Sequence, residues 1–263
     1  MSSSFELILP GLIIPLIGTT LGASFVLFLK KRPGDLLQRS LIALSAGVMM
    51  AASFWSLLQP ALNLSDSLGS WSFLPALTGF WLGILFLLAM DNLIPHLHMK
   101  AEHPEGPRSH LSRAMMLFLA VAIHNLPEGM AVGVIYVGLE SGSSGITAMA
   151  ALSLAIGIAV QNIPEGAIIS FPLRSAGYSR KKAFFMGFLS GCVEPLGMIL
   201  TVLMAGFFIP LLPYFLAFAA GAMIYVTVEE LIPEISQGEH SNLTTIVFAL
   251  GFSIMMILDV ALG

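Results

Sequence analysis

His124-Asn125-Leu126-Pro127-Glu128-Gly129 and Gln161-Asn162-Ile163-Pro164-Glu165-Gly166 share one pattern: a polar residue, asparagine, an aliphatic residue, proline, glutamate, glycine. Each lies inside a long apolar run. On a helix the first and fifth residues of such a motif share a face, with Cβ atoms about 5–6 Å apart. His124 therefore stacks over Glu128, and Gln161 over Glu165. Each proline removes one helical hydrogen bond and frees the carbonyl four residues back, at Ile123 and Val160. Two such helices facing each other could supply most of the coordination shell of a cation.

The surrounding composition sets the class. The chain has 263 residues, of which 57% are hydrophobic and only 10% charged, where a soluble domain carries about 25% charged residues. It reads as an all-α polytopic membrane protein, 1–263 forming a single membrane domain. Eight apolar segments, near 6–29, 40–62, 71–98, 111–137, 146–173, 182–207, 210–236 and 243–262, each reach the roughly 20 residues a span needs. The first lacks a basic leader and is long for a signal peptide, so it reads as a retained span. A net charge of −4 and the absence of a basic tract exclude a nucleic-acid partner. The single cysteine, Cys192, makes no internal disulfide and no thiolate cluster.

With eight spans, all 11 Lys and Arg fall in or beside the 1–2, 3–4 and 5–6 connections. The positive-inside rule makes that side cytoplasmic. The expectation is a multi-pass protein of the cell (inner) membrane with both termini extracytoplasmic and a His-bearing cytoplasmic loop at about 99–110. Spans four and five then run antiparallel and bring their motifs together near mid-membrane, like the paired broken or kinked helices of inverted-repeat transporters. Gly187/Gly191, Gly47/Ala51 and Ala151/Ala155/Ala159 read as ordinary close packing between helices.

Glu128, Glu165 and Glu194 lie deep in spans. Each costs about 2.5–3.5 kcal/mol at the bilayer centre, roughly 8–10 kcal/mol for the three if unpaired. No Lys or Arg lies deep enough to neutralise them, so cations, protons or cavity water must. Protonation suffices for one lone glutamate. Three, together with His124, Asn125, Gln161 and Asn162 on the motif-bearing helices, favour a metal pathway. Glu194 precedes Pro195 and so marks another kink. Asp91, Glu229 and Glu230 lie nearer the cytoplasmic ends of spans three and seven; Asp259 reads as interfacial. His96, His98, His103 and His110, with Asp91, Glu102 and Glu105, read either as solvated residues or as a weak exit or sensing patch. Imidazole, carboxylate and amide ligands suit a borderline divalent ion such as Zn, Fe, Mn or Co.

At the paired motif the sequence resembles the ZIP family of divalent metal transporters, especially its bacterial GufA-like branch. The resemblance extends over the whole chain. It implies a ZIP-like bundle in which spans one to three and six to eight are pseudo-symmetric about spans four and five, both kinked at proline. It puts a primary metal site on His124, Glu128, Gln161 and Glu165, with Met49 as a soft ligand. An adjacent second site would use Asn125, Glu128, Asn162, Glu165 and Glu194, and is expected to be weak or empty, because Asn162 brings no negative charge. Asp91, Glu229 and Glu230 match a cytoplasmic release route, and Ser56 the outer entrance. The implied partners are the bilayer and the transported cation, zinc first and then iron, manganese, cobalt or cadmium; there is no prosthetic group, and a homodimer is allowed. No catalytic residue is assigned. Two other readings compete with it. An intramembrane metal-dependent hydrolase would need three metal ligands around an activated water, yet there is no HExxH and only one deep histidine. A channel would show rings of like charge or an Arg-rich span, and neither is evident.

Overall fold

The computed structural model describes residues 2–28, 34–97, 106–237 and 241–262. His98, Glu102, His103 and Glu105, together with Lys30, Lys31, Arg32 and Lys100, lie outside the described residues. Among the described residues, eight helices are long and apolar enough to cross a membrane: α1 (Glu6–Phe28), α2 (Asp35–Asn63), α3 (Phe73–Leu93), α4 (Met115–Glu140), α5 (Ala148–Ser175), α6 (Arg180–Leu203), α7 (Ala205–Ser236) and α8 (Asn242–Leu262). The protein is therefore a multi-pass, all-α membrane protein. Where span boundaries differ from the sequence reading, local chemistry accounts for most of it. α3 ends at Leu93 rather than near 98 because Ile94 precedes Pro95 and takes an extended conformation, φ −111° and ψ 127°, as residues before proline do. The turn between α6 and α7 comes at Met204 (φ −98°, ψ 18°), earlier than expected. Pro127 and Pro164 lie inside continuous helices. α6 is instead interrupted at Cys192, between Arg180–Gly191 and Val193–Leu203, just ahead of Pro195, whose missing N–H frees the Gly191 carbonyl.

The helices associate in four tight pairs: α1 with α5, α4 with α6, α2 with α8, and α3 with α7. In the bilayer no hydrophobic drive favours one helix contact over a lipid contact, so close backbone approach at small residues carries much of the association. Gly18 and Gly22 of α1 receive the carbonyls of Ala159 and Ile163, and Gly79 and Gly83 of α3 those of Tyr214 and Phe218. Gly47 receives the Phe248 carbonyl, and Gly129 that of Glu194. A side chain at any of these positions would overlap backbone atoms. Exchanging spans one to three with six to eight, and four with five, maps α1/α5 onto α6/α4 and α2/α8 onto α7/α3. The packing thus repeats in the inverted order expected.

The same exchange relates two wide turns. α2 is π-helical over Ser53–Leu58 and α7 over Thr227–Leu231. Pro60 and Pro233 follow them and each removes a donor to the turn before. Such single-turn widenings often mark functional positions.

The α1, α4, α5 and α6 helices pack together as one group and α2, α3, α7 and α8 as the other. They meet where α5 runs along α2 and α8, and α4 along α7. Replacing Gly22 with Leu forces α1 away from α5. The expected result is a loss of about 1–3 kcal/mol, seen as a lowered melting temperature in detergent; Gly206→Ala, at a position with open space around it, leaves melting unchanged.

Candidate functional site

The site lies on the seam between the two helix groups. His124, Asn125, Glu128, Gln161, Asn162 and Glu165 are all buried. Four of them share a cavity, and Gln161 and Asn162 lie outside its lining. His124, Asn125, Glu128 and Glu165 line one cavity with Glu230 and Glu234 of α7. The rest of its wall, including Leu117, Val121, Ile168 and Ile169, is apolar. The space holds about 60 Å³, enough for a few waters or a partly hydrated ion. Its lining comes from the first half of α4 and the last halves of α5 and α7. The cavity therefore opens toward the side of the 3–4, 5–6 and 7–8 connections.

Oxygens dominate the interior. Asn125 Oδ1, Glu128 Oε2, Gln161 Oε1, Asn162 Oδ1 and Glu165 Oε2 are buried and accept no hydrogen bond. Gln161 lies against Glu128, and Glu128 within electrostatic reach of Glu165 and Glu194. Ser45 of α2 donates to the Gln161 carbonyl at 3.0 Å and to Glu165 Oε1 at 3.4 Å. His124 Nε2 lies 3.0 Å from Glu230 Oε1, so α7 reaches across the seam to the imidazole. Among the described residues, no three His, Cys, Asp or Glu side chains converge closely enough to hold a metal ion by themselves. A cation here would rely on amide oxygens, or on His124 turning from Glu230.

The other expected residues separate. Glu194 is 2% exposed and does not line the cavity. Thr19 donates to its Oε1 at 3.2 Å, Asn125 Nδ2 to Oε1 at 3.3 Å and Asn162 Nδ2 to Oε2 at 2.7 Å. Met49 is buried in the apolar core and contributes no wall to the cavity. Of the three release-route residues, Glu230 faces His124, whereas Glu229 is exposed on the other side of the widened turn. Asp91 is buried and accepts a 2.6 Å hydrogen bond from the Tyr225 hydroxyl, with His96 Nε2 3.7 Å away. His96 is buried and His110 exposed, so these two histidines form no common patch. On the opposite side, a vestibule of about 210 Å³ is lined by Trp55, Ser56, Gln59, Asn63 and Asp259. Asp259 is not simply interfacial: Ser56 donates to both its oxygens at 2.8 and 2.9 Å, and Ser153 to Oδ1 at 3.3 Å.

Thr19, Ser45 and Glu234 were missed by the sequence reading. Thr19 sits between Gly18 and Gly22, the close-packing glycines of α1, a signal that could have flagged it. Ser45 is a lone hydroxyl in an apolar run and carries no such mark.

The ZIP zinc transporter family model matches residues 102–259. The chain belongs to the ZIP family. Human zinc transporter ZIP11 is 36% identical over 323 residues, covering 93% of this chain and 94% of its own length. Zinc transporter GufA of Myxococcus xanthus is 36% identical, with 84% and 86% covered. Zinc transporter ZIPB of Bordetella bronchiseptica is 34% identical, with 93% and 78% covered. The matched ZIP region contains both motifs, Glu194, Glu230 and Asp259. Relatives of this ZIP protein are named as transporters, and no feature of the site favours the hydrolase reading.

The direction of the cavity can be checked by labelling. In a Cys192→Ser background, Leu117→Cys and Ile168→Cys are expected to react with a membrane-impermeant thiol reagent added on the side of the 3–4 connection. Reagent on the opposite side should leave them unmodified, and Leu154→Cys, in the closed core, should stay unmodified from both.

Proposed function

We propose that the chain carries divalent transition-metal cations, zinc foremost and iron, manganese, cobalt and cadmium as the wider set, into the cytoplasm by alternating access. The observation that carries this reading is the set of five buried acceptor oxygens on α4 and α5 that receive no hydrogen bond. In native proteins such atoms are rare and are explained by an ion, a water or a function. Carboxylates and amide oxygens without a basic partner make a site that a divalent ion neutralises. One imidazole beside them suits borderline first-row metals. His124, Glu128, Gln161 and Glu165 would be the principal ligands, with Asn125 and Asn162 adjoining; Met49 would join them only after a rearrangement of α2.

The positive-inside rule assigns the side of the 3–4, 5–6 and 7–8 connections to the cytoplasm and both termini to the exterior. The cavity below the site is then the cytoplasmic release path, and the arrangement is inward-facing. Glu230 and Glu234 line that path and offer successive carboxylates to a departing ion. As the ion leaves, the His124–Glu230 contact gives the imidazole an alternative partner. Asp259 and Ser56 would meet the incoming ion in the outer vestibule. Return to the outward-facing form would be a shift of one helix group against the other across the seam. Because metal displaces protons from its ligands, affinity falls as pH falls. A homodimer is compatible with this mechanism, since each protomer holds a complete site.

Glu128→Ala and Glu165→Ala are each expected to reduce zinc uptake into proteoliposomes by about 100-fold or more, while the purified variants keep a single cooperative melt. Uptake at the unaltered rate in both would refute the site. Anomalous diffraction from zinc-soaked crystals should show its strongest peak between His124 and Glu165.

A further inference from the structure

Glu194 is surrounded by donors rather than by a cavity. A carboxylate offers about four lone-pair positions. Three are taken, by Thr19 of α1, Asn125 of α4 and Asn162 of α5. Each asparagine spends its second N–H on a backbone carbonyl: Asn125 on Ser190 O at 3.1 Å, and Asn162 on Pro15 O at 3.2 Å. Both protons of each amide are therefore committed, and the orientation of each amide is determined. What remains is Oδ1 of each, buried and without a hydrogen-bond partner. Asn125 lines the cavity beside Glu128, and Asn162 lies one helical turn before Glu165.

The glycines of the two motifs make this arrangement sterically open. Gly129 lies against the Glu194 carbonyl of α6, and Gly166 against the Thr19 carbonyl of α1. A Cβ at either would push away the helix that brings Glu194 or Thr19 into place. Gly191 packs against the Thr19 side chain from the other direction. Four helices thus converge on one carboxylate, and two of the side chains that bond to it, Asn125 and Asn162, belong to the motifs of the transport site.

We infer that Glu194 is a positioning residue, not a ligand: it turns the N–H groups of Asn125 and Asn162 toward itself, aims their carbonyl oxygens at the cation, and leaves this chain with a single-ion site. The inference rests on the transport-site reading above and refines it. A second cation beside Glu194 would have to displace N–H donors that already occupy its lone pairs. The amides instead act as neutral oxygen ligands, which hold the ion more weakly than carboxylates and let it leave.

Cobalt(II) tests this, because its visible absorption reports both occupancy and the ligand set. Wild-type protein in detergent is expected to bind one cobalt per chain. In Glu194→Gln the new amide must present an N–H to one of the asparagines, which then turns over and withdraws its carbonyl. The expected result is one cobalt per chain still, affinity weaker by about tenfold, and an altered d–d band. In Asn162→Asp the donor to Glu194 is replaced by a second carboxylate, so occupancy should rise from one to two. Two ions in the wild type, or a fall from two to one in Glu194→Gln, would make Glu194 a ligand and overturn the inference. An unchanged band and affinity in a folded Glu194→Gln would reduce Glu194 to a packing role, and Asn162→Asp remaining at one ion would equally count against it. Cobalt bound nowhere in the wild type would instead overturn the transport-site reading itself.

Discussion

The architecture depends on the cost of leaving oxygen acceptors without donors in the interior of a bilayer. Lipid cannot hydrogen-bond them, and among the described residues no Lys or Arg is paired with Glu128, Glu165 or Glu194. Every acidic side chain placed deep in the spans must therefore be met by hydroxyls, by amides, by water, by a proton or by a cation. Glu194 is met by a hydroxyl and two amides, and Asp259 by two serines. Glu128 and Glu165 are left with one oxygen each unmet, and in the proposed transport cycle it is this remainder that a cation would meet. A chain in which all were satisfied internally would be more rigid and would have nothing to transport.

The repeat explains how one seam can serve both faces. α2 leans on α5 through Ser45, and α7 leans on α4 through Glu230. These are equivalent contacts under the exchange of the two halves, made by different chemistry. A serine hydroxyl is a mild, neutral donor. A carboxylate competes for the same imidazole that a cation would take. The two sides of the seam are thus built alike in backbone and unlike in charge.

Much of this was legible in the sequence. Eight apolar runs and the paired motif were enough for the class and the span count, and both motifs lie buried where the two helix groups meet. Local punctuation was legible too, and Pro95 marked the end of α3 even though the apolar run continued to His98. The widened turns were not. They follow from the packing of α2 and α7, and Pro60 and Pro233 are compatible with several helical registers. Without the register of α7, Glu229 and Glu230 cannot be told apart, since neighbours on a helix point about 100° apart; the structure turns Glu230 inward and Glu229 outward. Glu194 was found by its depth, but its role depends on the orientation of two amides, which no spacing reveals. Met49 was carried over by resemblance, and its side chain lies in the core.

The glycine-to-carbonyl contacts hold α1 to α5 and α3 to α7 so closely that no acyl chain can enter between them. The seam between the two groups has fewer such contacts; Met255 of α8 meets Gly157 of α5 there through its flexible thioether. A bilayer that is too thick or too thin for the spans has to be accommodated somewhere, and a modest strain per ångström of mismatch falls on the looser junction. Membrane thickness then acts on the relative height of the two halves. Acyl-chain length becomes a control on turnover, separate from any effect on unfolding.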